Sequence, residues 1–256
     1  MQRRFRLWTI TALAMAAAVP SAAQAQGGGE PAVNVQQAAG TSAAAIQSAV
    51  DAYRNDLGTL NPNTPGSAGS GRREIAWDGV PDALSAPNLL PPDFFNVNTP
   101  RGVVFSTRGS GVQVSGNAGV APIEFDNLNP TYSRLFTPFS PQRLFTAVGS
   151  NEVTVRFFVP GSQTPATSAG FGAVFSDVDR PGTKITYFDA RNRRLGTFAV
   201  PASPGSETLS FLGVRFLKER IAKVRITNGN TIPGRNEGRG RDVVVMDDFV
   251  FGEPSA

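Results

Sequence analysis

Neither histidine nor cysteine occurs anywhere in the 256 residues. Their absence excludes Ser-His-Asp and Cys-His nucleophile pairs, the H-E-x-x-H zinc helix, cysteine-ligated zinc, iron–sulfur centres and every disulfide. Tryptophan (2) and tyrosine (3) are scarce beside 18 phenylalanines, and lysine is limited to Lys184, Lys218 and Lys223. Carboxylate, hydroxyl and guanidinium groups are left to do chemistry, together with hard cations that take oxygen ligands. Charged residues make up 17% of the chain, but an apolar content of 40% is enough for a packed domain. Long hydrophobic runs are missing as well, since the stretch from Leu7 to Val19 is too short to span a bilayer.

That stretch follows the basic start Met1-Gln-Arg-Arg-Phe-Arg6 and precedes the small-x-small site Ala23-Gln24-Ala25. The three parts predict a secretory signal peptide over residues 1–25 and therefore an exported product. No cysteine follows the apolar run, which excludes a lipid anchor of the lipoprotein kind. Arg3, Arg4 and Arg6 account for three of the four net positive charges. The nearly neutral remainder argues against a nucleic-acid partner, which needs a concentrated basic face. The clusters Arg72-Arg73, Arg191-Asn-Arg-Arg194 and Arg235 to Arg241 lie among Gly and Asn and read as solvated turns.

Residues 26–39, rich in Gly, Ala and Gln, read as a flexible lead-in. Ile46, Val50, Tyr53 and Leu57 then recur at helical spacing, with Thr41 or Ser42 as N-cap and Gly58 as stop, so one helix is expected over about 41–57. Asn61 to Gly71 reads as a Gly/Pro linker. From Arg72 onward the periodicity changes to strand: Val153, Val155 and Phe157 alternate with polar neighbours, and ten or more such runs are separated by Gly, Pro, Asn and Ser. This cadence predicts an all-β fold over 72–254, a jelly-roll-like antiparallel β-sandwich with one short N-terminal helix. Pro87 to Pro100 is expected to be irregular chain covering one end of it.

Several segments carry a resemblance: Val50 to Gly58, Gly71-Arg-Arg-Glu-Ile-Ala-Trp-Asp-Gly-Val-Pro81, Leu90-Pro-Pro-Asp-Phe-Phe-Asn96, Gly170 to Asp179 and Val243 to Pro254. Together they resemble a widespread family of exported bacterial proteins without assigned function. The closing strand Met246-Asp-Asp-Phe-Val-Phe-Gly252 is similar to that of galactose-binding-like jelly rolls and of PEP-CTERM proteins. Only Glu253-Pro-Ser-Ala256 follows it here, so the expectation is a secreted or periplasmic protein with no membrane anchor. The galactose-binding-like resemblance further implies a structural Ca²⁺ held by acids of the first and last strands. The corresponding residues here are Glu74 and Asp78, and Asp247 and Asp248.

Read on the residues alone, strand alternation from Val243 to Phe251 puts one of Asp247 and Asp248 on the inner face, where a carboxylate has to be paired, protonated or bound to a cation. A salt bridge to Arg72, Arg73 or Arg241 competes with the calcium reading. Asp177-Val-Asp179, ahead of a Pro-Gly turn, is a second acidic pair that reads as a solvated loop. Trp77 and Tyr187 are the candidate ligand-binding rings, for a glycan or an extracellular matrix component, and a core ring that anchors the first strand is the competing reading of Trp77. The function that follows is a secreted, non-catalytic module, structural or ligand-binding. A carbohydrate-binding domain or a carbohydrate-active enzyme using paired carboxylates is the alternative.

Overall fold

Alternating apolar residues build two antiparallel sheets whose inner faces meet. The computed structural model describes residues 32–116, 123–218 and 220–256. The signal peptide expected over residues 1–25 lies outside the described residues. The elements are β1 (Val33–Gly40), α1 (Ala43–Leu57), β2 (Arg72–Ile75), α2 (Phe94–Val97), β3 (Val103–Thr107), β4 (Gly111–Val114), β5 (Phe145–Val148), β6 (Glu152–Phe157), β7 (Gly170–Ser176), β8 (Lys184–Phe188), β9 (Arg194–Ala199), β10 (Leu209–Phe216), β11 (Lys223–Thr227) and β12 (Val245–Gly252).

One sheet has seven strands in the order β1-β10-β7-β12-β5-β4, with β2 also paired to β12. The other has five, in the order β3-β6-β11-β8-β9. All strand pairs are antiparallel, as a jelly-roll-like sandwich requires. Between the sheets, Phe105, Phe145, Phe171, Phe249 and Trp77 form the centre of the main core. The outer face of the larger sheet is covered twice. Helix α1 lays Ile46, Val50, Tyr53 and Leu57 onto Val174, Leu209, Phe211 and Val250. Phe125, Tyr132 and Phe136 from the β4–β5 connection pack on Leu144, Val243 and Val245. Covered on both faces, β7 and β12 are buried at every position. The five-stranded sheet has no such cover and keeps the in-out alternation, as β6 shows with Val153, Val155 and Phe157 inside and Arg156 exposed.

Two segment readings are corrected. Much of the lead-in is not flexible chain, because Val33–Gly40 is a full edge strand paired with β10 from Val33↔Phe216 to Gly40↔Leu209. Its Ala-rich sequence carries little β signal, and the exposed edge of β10 supplies the ladder bonds that order it. Asn61 to Gly71 is a pinned loop rather than a linker: Asn61 Nδ2 donates to Glu253 Oε2 at 2.8 Å and the Ala68 N–H to Glu253 Oε1 at 3.1 Å. Within Pro87 to Pro100, Leu90, Phe94 and Phe95 enter the main core.

Candidate functional site

The uncovered face of the five-stranded sheet concentrates charge of one sign. In the β6–β11–β8 ladder Arg156 pairs with Lys223, and Lys223 with Phe188; two residues along, on the same face, Thr154 pairs with Arg225, and Arg225 with Thr186. Partners in register stand about 5 Å apart, so Arg156 and Lys223 are neighbours across the strands. Lys184 and Arg194 extend the set from β8 and β9. Like charges directly opposite each other destabilise a ladder, which makes this placement costly without an external anion.

Among the described residues Glu152, on the same face of β6, is the acid that shares the depression with these cations, and it forms no ion pair with any of them. Arg156, Lys184, Arg194, Lys223 and Arg225 make no ion pair there, and the nearest acids are occupied: Glu152 by Arg108 at 3.7 Å and Asp189 by Arg193 at 2.7 Å. Lys223 Nζ rests 4.1 Å from the Phe188 ring centroid and donates to Asn192 Oδ1, while the Arg225 guanidinium lies 5.4 Å from the same ring. Burial of its stem, with Arg156 and Arg225 beside it, pulls the Lys223 ammonium below its ordinary range. A depression of about 190 Å³ runs between Arg108, Arg156, Phe188 and Arg225. A larger groove of about 640 Å³, floored by Phe157, Phe158 and Ala222, adjoins it, and Arg156 and Lys223 line both.

The residues singled out from sequence lie elsewhere. Trp77 is fully buried, stacked on Phe145 at 4.1 Å and edge-on to Phe249 at 5.1 Å. Tyr187 is equally buried and donates its hydroxyl to the Phe171 carbonyl at 2.9 Å. Both are core rings, so their reading as ligand-binding aromatics is corrected. Tyr53 and Tyr132 are buried too, which leaves no tyrosine or tryptophan ring on the surface of the described residues.

Glu74, Asp78, Asp247 and Asp248 do not converge as a ligand set among the described residues, and protein donors hold each of them apart. Glu74 receives Arg54 through Nε at 3.1 Å and Nη2 at 3.0 Å, and Arg72 Nε at 2.6 Å. Asp78 accepts from the Gln142 and Arg143 N–H groups. Asp247 accepts from the Phe139 and Ser140 N–H groups, and Asp248 accepts the Ser140 hydroxyl at 2.6 Å and lies 3.6 Å from Arg54. The expected alternation fails at a bulge. Met246 pairs with Phe175 and Phe249 with Ala173, so three steps on β12 match two on β7. Met246 and Phe249 both enter the main core, and the two Asp between them turn toward α1 and Ser140.

A different carboxylate group does converge. Single oxygens of Asp179, Glu237 and Asp242 all lie within 4.8 Å of one another. Asp179 was visible in sequence only as half of a loop pair. Glu237 and Asp242 carried no motif, since they reach it from the connection between β11 and β12.

No protein-family model matches the chain, and no curated protein does. Among solved structures, a glycoside hydrolase family 43 arabinoxylan arabinofuranohydrolase from Bacillus subtilis, in complex with cellotetraose, is similar at a TM-score of 0.29 and 13% identity. The match covers 59% of this chain and 27% of that one, so the chain spans about a quarter of the hydrolase's length. Function is therefore read from the chain's own geometry.

Proposed function

We propose that the protein is a non-catalytic, extracytoplasmic β-sandwich module that holds an anionic polysaccharide across the open face of its five-stranded sheet. The observation that carries this reading is the placement of Arg156, Lys223 and Arg225 side by side on adjacent strands, none of them in an ion pair among the described residues. A chain of carboxylates or sulfates would relieve their mutual repulsion and supply charge-assisted hydrogen bonds. Guanidinium groups suit planar carboxylates in particular. The burial of every Tyr and Trp ring among the described residues argues against a neutral glycan, which is held chiefly by flat aromatic platforms. Export, expected from the basic start and the Ala23-Gln24-Ala25 site, places such a module where matrix and wall polymers are found. The galactose-binding-like jelly-roll kinship expected from the closing strand accords with this role.

Binding to polygalacturonate, to neutral xylan and to single-stranded DNA tests it. The expected result is retention by the polyuronate alone, weakened about tenfold or more by Arg156→Ala or Arg225→Ala. Equal retention by xylan or DNA, or indifference to both substitutions, contradicts it.

A further inference from the structure

Four acids meet at one end of the seven-stranded sheet. Asp177 and Asp179 follow β7, and Glu237 and Asp242 belong to the Gly- and Arg-rich connection that leads into β12. Three of them spend one oxygen each on a backbone donor: Asp179 Oδ1 accepts from the Gly205 N–H at 2.6 Å, Asp242 Oδ1 from the Asp179 N–H at 3.2 Å, and Glu237 Oε1 from the Val243 N–H at 2.8 Å. An independent observation concerns Asp177. It is 0% exposed, and neither of its carboxylate oxygens accepts from an N–H or hydroxyl donor, its polar neighbour being the Glu237 carboxylate. Asp242, 1% exposed, leaves its Oδ2 equally unpartnered. No Lys or Arg among the described residues forms an ion pair with any of the four.

Buried carboxylates without a counter-charge are expensive. A divalent cation removes this cost. The spacing of the oxygens, within 4.8 Å of one another, suits a cation with oxygen ligands at about 2.3–2.6 Å. Mg²⁺ demands a near-ideal octahedron at about 2.1 Å and gives up its waters reluctantly, whereas Ca²⁺ accepts irregular carboxylate sets.

We propose that Asp179, Glu237 and Asp242, backed by Asp177, form a calcium site that ties the β11–β12 connection to the end of β7. It is separate from Glu74, Asp78, Asp247 and Asp248, and it does not depend on what the basic face binds.

The test is a calcium titration of the full chain, stripped with a chelator and exchanged into metal-free buffer, read by melting temperature and by elemental analysis of the protein as purified. Extracellular calcium modules bind in the range of about 0.1–1 mM. At about 100-fold over the dissociation constant the melting temperature should rise saturably by about 5–10 °C. Mg²⁺ should do markedly less. Asp179→Asn and Glu237→Gln, which keep side-chain size at half-buried positions, should abolish the rise, and the exposed Asp51→Asn should keep it. Calcium retained through purification by the parent chain and lost from Glu237→Gln supports the site equally. The proposal is overturned by a melting temperature that ignores Ca²⁺ in protein purified without metal, by an undiminished rise in Asp179→Asn and Glu237→Gln, or by a Mg²⁺ response as large as that to Ca²⁺. In the first case the carboxylates simply share protons.

Discussion

Arg73 and Glu253 close on each other in a two-pronged ion pair inside the protein, Nε to Oε2 at 2.6 Å and Nη2 to Oε1 at 2.8 Å, with both side chains 1% exposed. Glu253 also accepts from Asn61 and Ala68, and Arg73 donates to the Pro62 and Pro100 carbonyls. One pair thus fastens β2, the 61–71 loop and the end of β12. Glu253→Ala would leave a buried guanidinium without its counter-charge, at a cost of about 3–5 kcal/mol. For a chain of this size that lowers the melting temperature by about 6–20 °C. A loss below about 1 kcal/mol would put the pair in the class of surface bridges.

Helix α1 sits on the sheet through a contact that only glycine permits. Gly213 of β10 pairs with Gly172 of β7, and a Cβ built on Gly213 would stand 2.5 Å from Tyr53 Cγ. The Tyr53 ring therefore lies directly on the backbone, and its hydroxyl donates to the Val214 carbonyl at 3.0 Å. Gly213→Ala should destabilise by about 1–3 kcal/mol through overpacking. Gly79→Ala, where a Cβ meets nothing within 4 Å, should stay within about 0.5 kcal/mol. Chemical denaturation of the two variants checks this, and equal stabilities would refute the contact.

The acid pair in the β12 bulge gives a pH dependence. Burial, and the neighbouring Asp248 carboxylate, hold the Asp247 carboxyl well above its ordinary range. A group raised on folding stabilises fully below its unfolded pKa of about 3.9 and loses that contribution as pH rises through the folded value. Asn at 247 keeps an acceptor for the Phe139 and Ser140 N–H groups and turns a donor toward Asp248. Asp247→Asn should therefore melt higher than the parent at about pH 8, with the gap narrowing toward about pH 4. Parallel melting curves across that range would show that Asp247 is ionised in the fold without penalty.

Much of the fold was legible in the sequence because its signals are local. The stripe Ile46, Val50, Tyr53 and Leu57 is the buried face of α1, and the alternation around Val153, Val155 and Phe157 is β6. Edge strand β1 was not, since Ala and Gln take their order from β10 rather than from their own propensity. Asp247 and Asp248 were misplaced because a single extra residue in β12 breaks the period-two rule. Of the readings open to Trp77 the core one holds, and Tyr187 is a core ring as well, because chain distant in sequence buries both. The site residues needed pairing information: Arg156 and Lys223 are 67 positions apart, and only the β6–β11 register sets them side by side. Asp179 and Asp242 meet across a similar distance through the arrangement of β7 and β12.

Salt-dependent binding of polygalacturonate tests the basic face most directly. Affinity measured against rising NaCl should fall steeply for the parent chain, since each cation engaged releases a counterion. The slope should become shallower with Arg156→Ala and again with the pair Arg156→Ala and Arg225→Ala, while the melting temperature holds or rises as the like-charge contact with Lys223 is removed. Binding that is insensitive to salt, or an unchanged slope in the double variant, would contradict an anionic partner on this sheet.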